Sequence, residues 1–170
     1  NLPNQDLLEA LVHNYFEKLC DKTIFLEQQK MSKADKEDLI KKFKSYNKYG
    51  AVILGTSSGS LGEGIDLPGD FLKAVIVVGL PLAKPNLEIK ELIRYYDKRF
   101  NKGLDYGYIY PAMIRSIQNA GRCIRSKDDK GIIIFLDERY ILQKYRKCFP
   151  IDWDIIVTKN PENMIKEFFS

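Results

Sequence analysis

The hydrophobic positions of this chain follow two periods, which alternate along it. Apolar side chains recur at helical spacing in five segments, at residues 4–19, 31–46, 87–101, 110–125 and 160–169. Short apolar runs that favour strands lie between them: TIFLE (23–27), GAVILGT (50–56), KAVIVVG (73–79) and GIIIFLD (131–137). The last three lack polar alternation, which is typical of parallel strands covered on both faces. The pattern predicts an α/β fold, an open and mostly parallel sheet with helices on both faces.

The helix predicted over residues 31–46 has a clear start and a clear buried face. Ser32 and Asp35 have the spacing of a capping box, in which each residue satisfies a backbone N–H of the other. Helical spacing then predicts a buried face of apolar residues, which consists of Leu39, Ile40, Phe43 and Tyr46. The lysines of this segment are expected to form a solvated opposite face.

The helix predicted over residues 110–125 carries two adjacent stripes. At 100° per residue, a polar stripe of Arg115, Gln118, Arg122 and Arg125 falls within about 80°. The neighbouring stripe, expected to pack on the sheet, consists of Ile114, Ile117, Gly121 and Ile124. Gly121 is expected to let the helix lie close to the sheet.

Two neighbouring guanidiniums repel each other unless an anion neutralises them, because arginine does not lose its proton in proteins. Phosphate is the anion whose geometry suits their paired donors. The residues alone leave an alternative open, in which both arginines pair with carboxylates and brace the fold. The carboxylates available for such pairs are Glu63, Asp66, Asp128 and Asp129.

Composition and charge fit one soluble domain and exclude several classes of protein. The chain has 170 residues, a formal net charge of +4 and a pI of about 8.8, which is compatible with a polyanionic partner. Cys20, Cys123 and Cys148 lie far apart, so neither a disulfide framework nor a metal site is expected in this chain. A reducing cytoplasm is the expected location. The apolar runs are shorter than a membrane span, and we expect no signal peptide and no membrane partner.

A glycine-rich loop follows the second predicted strand. It contains Gly59, Gly62, Gly64 and Gly69, together with Glu63 and Asp66. Glycines permit the close backbone approach that a phosphate or ribose site requires, but they also serve ordinary turns. The loop has no G-x-x-x-x-G-K-S/T, so it is not a Walker A phosphate loop.

Four sequence features in this order resemble one known family. They are GSLGEGIDLPG (59–69), a buried strand ending in GLP, the segment QNAGRCIR (118–125), and a strand ending in LDERY. Together they resemble the second, RecA-like motor domain of superfamily-two helicases. More closely, they are similar to the family of the xeroderma pigmentosum group D helicase, XPD, and its bacterial DinG relatives. EGID matches motif V and QNAGRCIR matches motif VI. The resemblance runs from about Glu27 to Arg139 and on through Trp153.

The resemblance implies roles for residues of both motifs. Arg122 and Arg125 would act as arginine fingers on the γ-phosphate of ATP, which is bound with magnesium mainly by a first motor domain. Gln118 would orient phosphate, water or a neighbouring arginine. Asp66 would contact the ribose, with Gly64 giving the backbone room, and Glu63 would couple the loop to the arginine segment. No metal site is implied in this chain.

The resemblance also implies contact with single-stranded DNA at the start of the glycine loop. The residues concerned are Thr56, Ser57, Ser58 and Gly59. Many relatives carry Arg and Lys on either side of the first glycine, where this chain has Ser58 and Ser60. Hydroxyls and amides bind phosphate, but the charge-assisted contact is missing.

The resemblance implies that the chain is one RecA-like domain over residues 1–170 cut from a larger helicase. No Walker A and no D-E-A-H box is present, and the strand that opens such domains would lie before Asn1. The 4Fe-4S cysteines and the arch insertion belong to the first motor domain. We therefore expect the chain to be inactive alone. For the whole helicase the family implies 5′-to-3′ unwinding in nucleotide excision repair, an archaeal source and a cytoplasmic location, or a nuclear one in a eukaryote.

Two other functions remain as alternatives. In the first, the chain is a non-catalytic RecA-like module that binds a regulatory repair protein or DNA, with residues 140–149 as the contact. The other interpretation of that segment is an ordinary amphipathic helix. The second is a self-sufficient hydrolase that uses Glu63, Asp66 and Asp137 as acid and base.

Overall fold

Four short strands pair in parallel, two by two, in a computed structural model. The structure describes residues 15–28, 30–57, 59, 71–124 and 129–170. Contacts between Cα atoms group the chain into two units, Asn1–Leu72 and Lys73–Ser170. Each unit contains one parallel strand pair. The predicted combination of helices with parallel strands is therefore confirmed.

The first unit is built on a strand–helix–strand crossover. After a short helix, α1 (Glu17–Leu19), come β1 (Thr23–Leu26), α2 (Lys33–Ser45) and β2 (Ala51–Leu54). The two strands pair from Thr23 with Ala51 to Leu26 with Leu54. A parallel pair requires such a crossover, because the chain has to return to the end of the sheet where the first strand began before the second strand can start. The predicted helix over residues 4–14 lies outside the described residues.

The buried face of α2 packs on β1 through aromatic side chains. Phe43 is buried, and its ring meets the ring of Phe25 edge-on at 5.9 Å. Phe25 also contacts Tyr46, with ring centroids 5.4 Å apart. Leu39 and Ile40 lie half-buried against the same cluster. The predicted face of this helix is confirmed.

The second unit repeats the parallel arrangement with a longer crossover. β3 (Ala74–Val78) pairs with β4 (Ile132–Leu136), from Ala74 with Ile132 to Val78 with Leu136. The connection contains α3 (Leu87–Phe100), a π-helical segment (Asp105–Ile109) and α4 (Tyr110–Ala120). A 3-10 helix (Glu138–Ile141), α5 (Gln143–Arg146) and α6 (Glu162–Phe169) follow β4. None of the helices in the described part of the chain combines the length and apolar character of a membrane span.

One face of β3 differs from its prediction. Val77 is buried, whereas Ile76 is 52% and Val78 is 69% exposed. Side chains alternate between the two faces of a strand, and α4 packs on β3. The apolar run without polar alternation predicted that both faces of the strand are buried. In this unit only every second residue of β3 is buried or half-buried.

The buried face of α4 also differs from prediction. Its buried residues are Ala112, Met113, Ser116 and Ala120. Of the predicted stripe, Ile114 and Ile124 are 54% and 44% exposed, and Ile117 is half-buried. The prediction was wrong because it ranked residues by hydrophobicity, while close packing used small side chains and one flexible methionine.

The segment 140–149, predicted as one amphipathic helix or a partner contact, forms the 3-10 helix and α5. Tyr140 and Tyr145 are 6% and 5% exposed and join a core cluster with Leu80, Ile109, Ala112 and Met113. The aromatic residues of this segment therefore serve the core. Their burial leaves the exposed lysines of the segment on the surface, as the simpler interpretation expected.

The capping box at the start of α2 is present as predicted, and it gives a stability test. The Asp35 N–H donates to Ser32 Oγ at 3.2 Å, and the Ser32 N–H donates to Asp35 Oδ2 at 3.1 Å. Ser32→Ala should lower the free energy of unfolding by about 1 kcal/mol, because the Asp35 N–H loses its acceptor, Ser32 Oγ. Urea unfolding followed by circular dichroism measures this. Ser45→Ala, at the other end of α2, is the matched control and should change it by less than about 0.5 kcal/mol. Equal losses in the two variants would contradict the capping role.

Candidate functional site

The first candidate site is the turn that follows β2, where Thr56, Ser57 and Gly59 are described. The Gly59 N–H donates to Thr56 O at 2.9 Å and closes the turn. Beneath it lies the side chain of Glu27, which is only 3% exposed and whose Oε2 accepts the Thr56 N–H at 3.1 Å. Glu27 directly follows β1, and its own N–H extends the strand pairing to Leu54 O at 2.9 Å. The carboxyl ends of both strands are thus joined through one buried carboxylate.

Glycine is required at position 59 because of this carboxylate. A Cβ atom there would lie 2.5 Å from Thr56 Oγ1 and 2.7 Å from Glu27 Oε1, distances that real Cβ atoms do not show. Gly59 was predicted to serve either phosphate approach or turn geometry, and the close packing on Glu27 accounts for it without a ligand. Glu27 itself was missed. The available signal was a charged residue at the carboxyl end of an apolar strand, where ligand sites of α/β sheets are found.

Most residues assigned to the nucleotide by the resemblance to motif V lie outside the described residues. This applies to Glu63, Gly64 and Asp66, and also to Ser58 of the DNA-contacting set. The structure therefore brings together only Thr56, Ser57 and Gly59 of that loop.

The second candidate site is the end of α4, which carries Gln118 and leads into Arg122. Gln118 is exposed in the last helical turn. Arg122 is half-buried, its Nε atom is buried, and it lies in a turn in which its N–H approaches Asn119 O at 3.4 Å. The helix ends at Ala120, so the prediction that Arg122 extends the helical stripe of Gln118 is wrong. Arg125 lies outside the described residues.

The expected position of Gly121 is corrected by the same turn. A Cβ at Gly121 would meet Ile117 O at 3.3 Å and Gln118 O at 3.9 Å, both in its own helix. No atom of the sheet is that near. Gly121 therefore belongs to the turn that ends α4 and does not provide a close contact with the sheet.

The side chain of Cys123 contacts the beginning of β4 and so connects this turn to the strand. Its Sγ lies 3.8 Å from Ile132 O and occupies the space that a side chain at Gly131 would need. Burial raises the pKa of the Cys123 thiol, which keeps it protonated and able to donate. Ile132 is the first residue of β4, so the turn with Arg122 lies at the amino ends of the strands. The prediction that the chemistry lies beyond their carboxyl ends is wrong for Arg122.

Three polar groups meet at the opposite, carboxyl end of the same strand pair. The Tyr140 hydroxyl donates to Gly79 O at 2.8 Å and lies 2.9 Å from Ser116 Oγ. Ser116 is fully buried in α4, and burial raises the pKa of Tyr140. Gly79 has a φ of +77°, which favours glycine. The hydrophobic pattern of the sequence concealed this network, because Ser116 falls among apolar helix positions.

Asp137 follows β4 and is bound by Arg139. Arg139 Nε donates to Oδ1 at 2.8 Å and a terminal guanidinium nitrogen donates to Oδ2 at 2.6 Å. These bonds hold the pKa of Asp137 below its usual range. An ionised and doubly bonded carboxylate is a poor general acid, which argues against the hydrolase alternative. Among the described residues, no cluster of three His, Cys, Asp or Glu side chains could hold a metal ion.

The helicase C-terminal domain family matches residues 2–154, which is most of the chain. This chain belongs to that family. The match includes both candidate sites and confirms the resemblance that the two motifs indicated. Proteins named DinG are among the relatives of this helicase C-terminal domain.

Several relatives of this helicase domain are much longer proteins. It is 35% identical over 110 residues to the ATP-dependent DNA helicase DinG of Photobacterium profundum, which covers 64% of this chain and 16% of the relative. It is 32% identical over 148 residues to the 3'-5' exonuclease DinG of Staphylococcus epidermidis, which covers 85% and 14%. The Fanconi anemia group J protein homolog of Gallus gallus is 32% identical over 130 residues, with 70% and 10% covered. The chain therefore spans a tenth to a sixth of the length of these curated relatives.

Solved structures of XPD share the fold of this domain. One XPD helicase aligns with a TM-score of 0.57 and 22% identity, covering 85% of this chain and 29% of its own. An apo XPD aligns with a TM-score of 0.58 and 21% identity, covering 86% and 35%. At this identity the likeness concerns the fold, and it confirms the predicted α/β class.

The contact between Glu27 and Gly59 predicts coupling between two substitutions. Gly59→Ala should lower the free energy of unfolding by about 1–3 kcal/mol, because the added methyl group overlaps the carboxylate. In a Glu27→Ala background the overlap with the carboxylate is removed and only that with Thr56 Oγ1 remains, so the cost of Gly59→Ala should fall. Glu27→Gln retains the volume and is the matched control, in which the cost should persist. Urea unfolding of the wild type and the five variants measures the coupling energy. Additive effects in both backgrounds would contradict the contact.

The Asp137–Arg139 pair predicts an acid-dependent contribution to stability. The folded pKa of Asp137 is lowered, so its contribution is complete above the unfolded pKa of about 3.9 and is lost as the pH falls through the folded value. Asp137→Asn should lower the free energy of unfolding by about 1 kcal/mol between pH 5 and 7, allowing for the partial exposure of Arg139. The difference from wild type should shrink below about pH 4. Urea midpoints from pH 3 to 7 test this, with Asp154→Asn as control. A difference that is constant with pH would contradict it.

Proposed function

We propose that this domain is the C-terminal motor domain of an ATP-dependent DNA helicase of the XPD and DinG type. In this proposal Gln118, Arg122 and Arg125 act on ATP and magnesium that are bound mainly by a first motor domain. The alternative of a non-catalytic module remains a proposal of lower weight, since the aromatic residues of segment 140–149 are buried in the core.

The observation that carries the proposal is the placement of Arg122. Its backbone is fixed in a turn between α4 and the Cys123 contact with β4, and the guanidinium is half-buried with Nε inside. An arginine finger is most effective when the folded protein already holds its side chain in position. No free energy is then spent on ordering that side chain as the transition state forms. Its charge would stabilise the negative charge that develops on the transferred phosphoryl group. Gln118, exposed one turn earlier, suits the orientation of water or phosphate.

The remaining parts of the nucleotide site are assigned by motif. In the proposal Asp66 contacts the ribose hydroxyls, Gly64 gives the backbone room, and Glu63 couples the loop to the arginine segment. The chain offers no phosphate loop of its own. A first motor domain, which in this family carries a 4Fe-4S cluster, would supply the phosphate loop and the magnesium carboxylates. The isolated chain should then have no measurable ATPase or unwinding activity.

The proposed DNA contact is the turn at Thr56, Ser57, Ser58 and Gly59. Its described part carries the side-chain hydroxyls of Thr56 and Ser57, which are half-buried residues, and hydroxyls bind phosphate without reading sequence. Single-stranded DNA is the proposed ligand. In the whole protein we further propose 5′-to-3′ unwinding in nucleotide excision repair, a cytoplasmic location, and a regulatory repair protein as a second partner.

The arginine role predicts a defined loss of turnover. Joined to a cognate first motor domain, the wild-type chain should hydrolyse ATP in the presence of single-stranded DNA. Arg122→Ala should lower turnover by roughly two to four orders of magnitude, as expected for an arginine finger. Arg146→Ala, an exposed arginine at the end of α5, is the matched control and should retain turnover. Initial rates of phosphate release measure the effect. Wild-type rates in Arg122→Ala would refute the role.

A further inference from the structure

The buried hydroxyls of Ser116 and Tyr140 form a hydrogen-bonded chain that leads to the backbone of β3. Ser116 is fully buried, Tyr140 is 6% exposed, and their oxygens are 2.9 Å apart. Tyr140 also donates to Gly79 O at 2.8 Å. Three contacts are available to these two hydroxyls, since Ser116 Oγ additionally lies 3.0 Å from Ala112 O.

Counting hydrogens decides which arrangement satisfies the buried groups. Each hydroxyl has one hydrogen to donate. If Tyr140 donates to Gly79 O, then Ser116 has to donate to Tyr140 for the contact between them to be a hydrogen bond. Ala112 O loses little, because a carbonyl at that place in a helix already accepts the N–H four residues later. Ser116 Oγ has one hydrogen for two acceptors, Ala112 O and the Tyr140 oxygen, and we take it to donate to Tyr140, which gives a direction from Ser116 to Tyr140 to Gly79.

This chain of bonds joins three segments and adds directional contacts to their apolar packing in the core cluster. Gly79 ends β3, Tyr140 lies in the 3-10 helix after β4, and Ser116 lies in α4. The other buried residues of α4 are Ala112, Met113 and Ala120, which are small or flexible. Apolar packing is non-directional, whereas a buried hydrogen bond has a defined distance and angle and costs energy when broken. The two hydroxyls therefore restrict the rotation of α4 about its axis and its shift along that axis.

The segment before α4 explains why the rotation of α4 has to be restricted by such contacts. Residues Asp105–Ile109 are π-helical, and the Tyr110 N–H donates to Asp105 O five residues earlier. A π-helical turn adds a residue relative to an α-helical one, so it changes the direction of every later side chain of the helix. Lys147 bonds Asp105 at 3.0 Å, but this contact lies at the exposed side. The buried contact of Ser116 lies closer along the chain to Gln118.

We propose that Ser116 and Tyr140 are positioning residues, which set Gln118 and Arg122 for their action on the phosphates of ATP. The proposal rests on the proposed function. Neither hydroxyl contacts the nucleotide; both act through the segment 118–122 that α4 carries. Tyr140→Phe keeps the ring, which contacts Phe135 and Phe149 in the core, and Ser116→Ala removes only the hydroxyl. These two variants therefore test the hydrogen bonds without emptying the core.

The first experiment needs no activity and uses the 170-residue chain. Hydrogen exchange is followed at the amides of Gly121, Arg122 and Cys123, which donate to Ile117 O, Asn119 O and Ala120 O. Tyr140→Phe and Ser116→Ala should each speed exchange there by about fivefold to tenfold, as expected from the loss of one buried hydrogen bond. The matched control is Tyr145→Phe, another buried tyrosine of the same cluster. Unchanged exchange at these three amides, or equal acceleration in the control, overturns the proposal.

The second experiment measures ATP turnover of the chain joined to a cognate first motor domain. Tyr140→Phe should lower kcat by about fivefold to tenfold with little change in KM for ATP. In an Arg122→Ala, Gln118→Ala background the same substitution should have no further effect, because its effect passes through those side chains. An equal loss of kcat in both backgrounds overturns the positioning role. Wild-type turnover in the Arg122→Ala, Gln118→Ala background refutes the proposed function instead, and leaves the exchange result to decide the structural part.

Discussion

Parallel pairing of β3 with β4 is the constraint on which the described part of the second unit depends. Two parallel strands are joined only by a chain that returns along the pair, so the returning helix runs opposite to the strands. Consequently α4 begins beside the carboxyl ends of the strands and finishes beside their amino ends. Gln118 and Arg122 are near its finish, and the buried contact of Cys123 with the start of β4 follows directly from that direction.

Buried polar groups join separate elements of the chain in each unit. Glu27 receives the Thr56 amide beneath the first turn, and the hydroxyls of Ser116 and Tyr140 connect α4 with the end of β3. Such groups are costly to bury unless they are bonded, so the surrounding chain has few conformations that satisfy them. Hydrogen bonds have a defined direction, whereas apolar contacts tolerate small shifts of one element against another. In the proposed function, elements that do not shift against one another would keep the guanidinium and amide side chains aligned with a phosphate.

The two candidate sites use different chemistry, which fits the different tasks proposed for them. The turn after β2 carries hydroxyls, which suit the proposed contact with a DNA backbone that has to be released and bound again as a motor moves. The turn after α4 offers a guanidinium on a fixed backbone, which suits charge that develops during phosphoryl transfer. Ser58 and Ser60 flank Gly59, so the proposed first contact carries no charge there and should depend less on salt than a lysine-rich loop.

The sequence alone determined the features that depend on neighbouring residues or on periodicity. The four strands, the helices over 31–46 and 87–101, the capping box of Ser32 and Asp35, and the helicase motifs all belong to this group, because hydrophobic period, cap chemistry and motif spacing act within short segments. The strands of the α/β fold were therefore located within a residue or two.

Tertiary structure decided the features that depend on which surfaces meet. The choice of Ala112, Met113, Ser116 and Ala120 as the buried face of α4 follows from close packing after a π-helical turn, which no local period encodes. The end of the helix before Arg122 and the carboxylate of Glu27 beneath Gly59 likewise depend on contacts between residues distant in the chain. Hydrophobicity ranks residues by type, whereas packing selects them by size and by the hydrogen bonds they can make, so the buried residues beneath the candidate sites were visible only in the structure.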